Sequence, residues 1–593
     1  MDVISPQALV FAILLLTVAL FLWGRWRYDV VAVAALLLVT VTGLVPAGEA
    51  FSGFGHPAVV TVAAVLILSR GLMNSGLVDG IAALLGGIGR RPSVQVAVLT
   101  GITACFSAFM NNVGAIAVML PVAVRISRKS GRPPYYILMP VAFGSLLGGL
   151  VTMIGTPPNI IVALARAKNG GEPFGLFDFS PVGLGVAAAG LAFVALVGWR
   201  LIPERKGRAS AEDLFNIEGY VTEVRITKGS PLAGGRLRDL RKFKDLEVNV
   251  LGIGRGKKQI AAPSAGETLE EGDILVVEAD SDDLAALLKA ARLELAEDKE
   301  LGKDVLGAGA ASLQEAVVTA NSPLVGNTAL GLDLRRRRGI NLLAVARRGA
   351  RLKGRLALIR FEPGDVLLTS GPRDILQEAF QRLGCIPLVR KNTGFGQPRR
   401  VVLAGGIFAG GIALAALGVL PVPTALVSAA AAMVFANLIP VRELYDSVDW
   451  SVIVLLGAMI PVGRALETTG GAAAVGHLIL RLTGDMPPAV SLGVLMLGTM
   501  WISDVINNAA TAVLMAPVAI TLAAALGVSP DPFLMAVAVG ASCAFLTPIG
   551  HQSNTLVMGP GGYRFGDYWR MGLPLDIIVI LAAVPLILRR WPL

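Results

Sequence analysis

Apolar runs long enough to cross a bilayer, about 20 residues each, cover residues 5–23, 29–47 and 57–75, and recur at 401–420, 423–441 and 450–465. Two longer apolar stretches, 93–127 and 487–526, each hold a pair of adjacent amides near the middle: Asn111-Asn112 and Asn507-Asn508. Arg90 and Arg91 precede the first, and Arg125, Arg128, Lys129 and Arg132 follow it. One straight span would put these basic groups on opposite faces. A re-entrant hairpin with the asparagines at its tip puts all six on the cytoplasmic face, which the positive-inside rule prefers. Stretches 134–166 and 531–566 are too long for simple spans. The first is interrupted by Gly155-Thr156-Pro157-Pro158, where two prolines remove backbone donors, so a discontinuous helix is expected. Spans at 181–202 and 572–588 close the two groups, and 76–91 reads as an amphipathic interfacial helix.

The two groups repeat one another. Asn111 and Asn507, Met119 and Met515, and Pro121 and Pro517 are equally far apart in the chain, and Asn159 and Asn554 miss that separation by one residue. Arg25 and Arg27 place the first loop in the cytoplasm and the N-terminus outside. The second group starts after Arg399-Arg400 on the cytoplasmic side, and its C-terminus is also expected outside. The repeats are therefore inverted, with broken helices meeting near the midplane, a secondary-transporter pattern.

Between the groups, from about 209 to 397, the chain turns charged and is punctuated by Gly and Pro. Ser230-Pro231-Leu232 matches Ser322-Pro323-Leu324, and Gly272-Asp273 matches Gly364-Asp365 at the same separation. Each unit reads as strand, Ser-Pro-Leu turn, short helix, strands, Gly-Asp turn, strand and closing helix. The expected organisation is a first transmembrane half (1–208), two small α+β domains (209–300 and 301–397) and a second transmembrane half (398–593).

Composition agrees with a polytopic membrane protein: 54% of the 593 residues are hydrophobic and 16% charged, with mean hydropathy +0.68. The net charge of +10 belongs to the loops between spans and not to a nucleic-acid surface. Cys105, Cys385 and Cys543 are scattered, which argues against a disulfide framework or zinc site. The segment before Trp23 has no basic start and is read as a first span, not a cleaved signal. No nucleophile–base set or phosphate loop is present, so an enzyme is not expected.

The candidate chemistry lies in the paired amides and the breaks. Helix N-termini carry unpaired N–H groups and partial positive charge, suited to an anion. Asparagine offers donors to anion oxygens and a carbonyl to a hard cation. None of the four loops holds Lys or Arg, so a co-bound cation would supply the missing charge. Each residue also has a structural reading. The amides can bond neighbouring helices, Asp504 is either an ion or proton ligand or a structural partner, and His551 is either a proton-sensitive substrate contact or a packed polar group. Gly252-Ile253-Gly254-Arg255-Gly256 lacks the following helix of a dinucleotide motif and is expected to be a glycine-rich β-turn. Arg335 to Arg338 reads as a solvated turn.

On these motifs the chain resembles the divalent anion/Na⁺ symporters of the ion-transporter superfamily, and the insert resembles a tandem pair of TrkA-C (RCK-C) domains. The family carries Ser-Asn-Thr at each hairpin tip. Here the tips read Asn111-Asn112-Val113 and Asn507-Asn508-Ala509, keeping the central asparagine. The first break matches the family well; His551-Gln552-Ser553-Asn554 keeps only the glycine and asparagine ends. The resemblance implies one Na⁺ site from Ser107, Asn112 and Gly155 and another from Ser503, Asn508 and Gly550. It implies anion contacts by Asn111, Asn112, Thr156, Pro157, Asn507, Asn508, His551 and Gln552. It also implies a multi-pass inner-membrane homodimer with a cytoplasmic insert that binds a nucleotide-like ligand.

The expected function is Na⁺-coupled import of a divalent anion by alternating access. Sulfate is favoured by loss of the hydroxyl-rich tips and by likeness of the insert to those of sulfate-type permeases. The alternatives are a Na⁺/dicarboxylate symporter, a cation/proton antiporter using Asp504, and a channel or sensor gated by the insert.

Overall fold

The computed structural model describes residues 5–593 except 24–25, 77–90, 131, 205–220, 243–248, 256–257, 262–265, 279–280, 296–311, 321, 333, 335–339, 348–349, 353–355, 372, 389–397 and 484–485. Most of the expected 76–91 helix and all of Arg335 to Arg338 lie outside the described residues.

The first half contains α1 (Pro6–Trp23), α2 (Tyr28–Val41), α3 (Pro57–Ser75), α4 (Pro92–Ser107), α5 (Asn112–Lys129), α6 (Tyr135–Gly149), α7 (Pro157–Lys168) and α8 (Ser180–Phe193), the last continuing as a π turn and a short helix to Leu201. Leu15 and Leu16 of α1 are exposed, as expected of a lipid-facing surface. α6 is buried along almost its whole length. Tyr136 at its start donates to Gln95 Oε1 of α4 at 2.6 Å and lies 3.4 Å from Ser130 Oγ, just past α5. The beginning of α4 and the end of α5 thus share one end of the bundle, the geometry of a re-entrant hairpin. α4 has 16 residues, about 24 Å at 1.5 Å per residue, and stops short of a hydrocarbon core of about 30 Å.

The insert supplies two five-stranded antiparallel sheets. The first has β1 (Val221–Ile226), β2 (Asn249–Arg255), β3 (Lys258–Ala261), β4 (Ile274–Glu278), α9 (Ser281–Ala291) and β5 (Leu293–Leu295). The second has β6 (Ser312–Val318), β7 (Asn341–Arg347), β8 (Ala350–Arg351), β9 (Val366–Gly371), α10 (Arg373–Arg382) and β10 (Cys385–Pro387). Their strand orders, β3-β2-β4-β1-β5 and β8-β7-β9-β6-β10, are the same topology. The repeated serines have a structural cause: Ser230 Oγ donates to the Ala291 carbonyl at 2.6 Å, and Ser322 Oγ to Leu383 at 2.5 Å, tying each turn to the end of its closing helix. The repeated Gly-Asp turns are held the same way. Asp273 and Asp365 each accept an arginine Nε, from Arg255 and Arg347, at 2.8 Å. Gly252 to Arg255 lie in β2, which hairpins into antiparallel β3. This corrects the expected β-turn: Gly252 to Gly254 pair with β4, just after a bulge at Leu251, where the register shifts between Val250 and Gly252.

The second half repeats the first: α11 (Pro398–Ala416), α12 (Val422–Phe435), α13 (Val441–Asp446), α14 (Trp450–Thr468), α15 (Gly471–Thr483), α16 (Pro488–Ser503), α17 (Asn508–Leu526), α18 (Pro530–Ser542), α19 (Gln552–Gly561) and α20 (Tyr568–Arg590). α15 fills an interval that the apolar pattern leaves unassigned. The broken helices interlock, α7 against α18 and α19 against α6. At one end Arg166, on the last turn of α7, pairs with Asp531 at the start of α18, 2.7 Å apart. At the other, Tyr563, just past α19, accepts from Met139 N at 2.9 Å and donates to the Tyr135 carbonyl, at the start of α6. The end of each second segment meets the start of the other half's first segment. Parallel repeats would place those ends on opposite sides, so the halves are inverted.

Candidate functional site

Each break is tied by one asparagine. Asn159 Nδ2 donates to the Gly149 and Thr152 carbonyls at 3.2 and 2.8 Å. Asn554 Nδ2 donates to those of Ala544 and Thr547 at 2.8 and 3.1 Å. Carbonyls freed where a helix stops need such partners inside a membrane. Thr152 Oγ1 then donates to the Ala108 carbonyl, and Thr547 Oγ1 to that of Asp504 at 2.6 Å, fastening each break to its own hairpin tip.

The tips reach across to the opposite half. Asn508 Nδ2 lies 3.4 Å from Thr156 Oγ1, and Asn112 Nδ2 lies 3.1 Å from His551 Nε2. Thr156 and His551 occupy equivalent places, both extended residues capping the helix after the break. The centre of the molecule is thus a reciprocal exchange in which each tip amide touches the other half's break.

Asn111, Asn112, Asn507 and Asn508, with Gly155, Pro157, His551 and Gln552, line one cavity. Val62, Val65 and Leu66 of α3 and Val452 of α14 form its apolar wall, and Asp449 is the charged residue among those lining it. Asn111 Oδ1 accepts from Gly114 N at 3.1 Å and Asn507 Oδ1 from Ala509 N at 2.9 Å. His551 Nδ1 accepts from Ser553 N at 3.1 Å. Some helix N-terminal amides that the sequence left for an anion are therefore capped by side chains, and the asparagine Nδ2 groups become the donors the cavity offers.

Of the expected substrate contacts, Thr156 alone is not on the cavity wall; it is buried behind Asn508. The expected cation ligands divide unequally. Ser107 Oγ donates to Asn112 Oδ1 at 2.6 Å. A methyl group on Gly149 would sit 2.6 Å from Asn112 Oδ1 and 3.4 Å from the Gly155 carbonyl, so oxygens converge there. In the second half Ser503 Oγ donates instead to the Ala541 carbonyl at 2.5 Å, and Asn508 Oδ1 accepts from Ala509 N at 2.8 Å. Gly550 packs against the Ser503 backbone. Asp504 is off the cavity wall, buried, with Oδ1 accepting from Leu546 N at 2.9 Å.

Two features of the site are not evident from the motifs: one on the wall, one behind it. Asp449 caps α14 through Ser451 N at 3.1 Å, a role signalled by an acid immediately before an apolar run. Tyr28, at the start of α2, accepts from Gln552 Nε2 at 2.9 Å; nothing in local sequence announces that pairing.

The family model described as "Citrate transporter" matches residues 18–540 and 479–591. An uncharacterized transporter of Synechocystis sp., sll0640, is 30% identical over 98% of this chain and 96% of its own. The uncharacterized transporter YfbS of Escherichia coli is 30% identical over 98% of this chain and 99% of its own. Sodium/sulfate cotransporter 2 of Chlamydomonas reinhardtii is 28% identical over 55% of this chain and 38% of that protein. The chain belongs to the citrate transporter family and is a membrane transporter, not an enzyme.

Proposed function

We propose that this member of the citrate transporter family is a Na⁺-coupled symporter that imports a divalent anion, sulfate first, by alternating access. The observation that carries the reading is the convergence of four asparagines from both inverted halves, with His551 and Gln552, on one cavity with no Lys or Arg among the described residues that line it. An oxyanion there meets amide donors and partial helix charges. Na⁺ entering as co-substrate supplies the positive charge that this lining lacks and offsets Asp449. The oxygens of Asn112 and Gly155, with the Ser107 hydroxyl behind them, suit a hard cation and make up the first Na⁺ site. Ser503, Asn508 and Gly550 make up the second. The name of the Chlamydomonas relative supports sulfate and sodium. The family description favours a second reading, a carboxylate such as succinate or citrate, carried by the same mechanism.

We further assign the chain to the inner membrane as a multi-pass homodimer with residues 209–397 in the cytoplasm. There the two sheet domains act as a TrkA-C-type regulatory pair for a small nucleotide-like ligand.

The test is uptake of radiolabelled sulfate into proteoliposomes with and without an inward Na⁺ gradient, alongside Asn112→Ala and Asn508→Ala. Uptake that requires Na⁺ and disappears in both variants is the expected result. Na⁺-driven uptake of succinate but not sulfate replaces the substrate and keeps the mechanism, whereas uptake indifferent to Na⁺ sinks the coupling.

A further inference from the structure

The insert's second sheet has two buried faces. Val345 and Leu367 pack in the unit's own core, while Val317, Val366 and Leu368 belong to the buried cluster that runs on into the membrane helices. Beside that face, the turn Glu362-Pro363-Gly364-Asp365 lies against α19. Gly364 has φ +84°, and a Cβ there would lie 2.9 Å from the Thr555 carbonyl oxygen. A Cβ on Gly559 would overlap the Gly364 carbonyl. Backbone meets backbone here, and only glycine on both sides permits it.

The turn is stiff. Asp365 receives Arg347 Nε and Nη2 at 2.8 and 2.9 Å and the Glu362 amide at 2.8 Å, while Glu362 Oε1 receives Arg347 Nη1 at 2.6 Å. α19 has 10 residues, begins at Gln552 on the cavity wall and is capped by His551. A helix that short moves as a rod, so a displacement at Thr555 or Gly559 is transmitted to both side chains.

We propose that the Glu362–Asp365 turn is a positioning element of the transport site, setting where α19 presents Gln552 and His551 to the cavity. Through it, whatever alters the insert reaches the site directly. The assignment holds whichever anion and ion the cavity takes. The insert also carries its own contrast. Gly272, the equivalent residue of the first unit, has φ +86° and nothing within 4 Å of a built Cβ. The same left-handed backbone is present there without the contact.

The experiment uses the full chain in proteoliposomes with Cys105, Cys385 and Cys543 replaced by alanine and Gln552→Cys as reporter. The rate of maleimide labelling is measured in the parent and in Gly272→Ala, Gly364→Ala and Gly559→Ala. Gly364→Ala and Gly559→Ala are expected to change the rate several-fold in the same direction, with Gly272→Ala at the parent rate. Gly559→Ala leaves the insert's turn intact and keeps the test valid if Gly364→Ala folds poorly. Labelling at the parent rate in both contact variants, or an equal change in Gly272→Ala, overturns the proposal. Labelling reads position and not transport, so its outcome is separate from that of the sulfate experiment.

Discussion

Asn112 and His551 are 439 residues apart in the chain, and their side-chain nitrogens are 3.1 Å apart in space. His551 Nδ1 accepts from Ser553 N, its Nε2 meets the Asn112 amide, and the Ser107 hydroxyl sits on the far side of that amide. Removing the ring leaves the first tip without its partner in the other half. His551→Ala is expected to lower transport at subsaturating substrate about tenfold, or about 1.4 kcal/mol. Initial rates of uptake check this, and unchanged rates would show that the cross-half contact is dispensable.

The two serines at the tips are predicted to behave differently despite their equivalent positions. Ser107 bonds the Asn112 carbonyl, whereas Ser503 bonds the Ala541 backbone. Ser107→Ala should move the Na⁺ concentration for half-maximal uptake further than Ser503→Ala does, and Ser503→Ala should also lower thermal stability. Na⁺ titrations and melting curves on both variants separate the outcomes; equal shifts of the midpoint would contradict the geometry.

Asn159 and Asn554 are expected to be structural. Either substitution by alanine strips two buried carbonyls of their donor, at a cost of about 2 kcal/mol. Melting in detergent should fall for both variants, and by similar amounts because the two breaks are built alike. A variant with full stability and lost anion selectivity would instead mark its asparagine as a ligand.

Burial pushes the Cys385 thiol up from 9.0 to about 12, a rise the Ser322 bond only partly offsets. The folded insert therefore holds this proton more firmly than the unfolded chain does. The sign follows from linkage: the stabilisation is complete below pH 9.0 and is lost as pH rises toward about 12. Unfolding of the second unit should become easier across that window, and Cys385→Ala should flatten the slope. Thiol labelling of Cys385 should remain slow until that unit opens, which a denaturant series can follow.

The sequence made some parts of this architecture legible for physical reasons. Charge asymmetry identified the first hairpin, since Arg91 and Arg132 need to share a face, and Pro157-Pro158 marked the first break. Constant spacing revealed which residues are equivalent. Equivalence does not reveal contact: that Asn112 meets His551, and Asn508 meets Thr156, depends on the inversion being realised in space. Tyr28 escaped notice because its partner, Gln552, is remote in sequence. α15 goes unannounced because its 13 residues fall short of the about 20 of a full span, and a glycine-rich string such as Gly252 to Gly254 in a strand looks like a turn. Among the cation candidates, sequence symmetry suggested two alike sites, and the different partners of Ser107 and Ser503 break that symmetry.

The interlocking of α6 with α19 and α7 with α18 has a consequence for the chain's ancestry. Neither half owns its cavity: each supplies a tip whose counterpart lies on the other, and α6 alone would expose a helix otherwise buried along almost its whole length. A half-length precursor would have been complete only as an antiparallel pair of identical chains, inserted in both orientations. Fusion through the insert would fix one copy in each orientation and free Thr156 and His551 to diverge into different chemistries at what had been a single position.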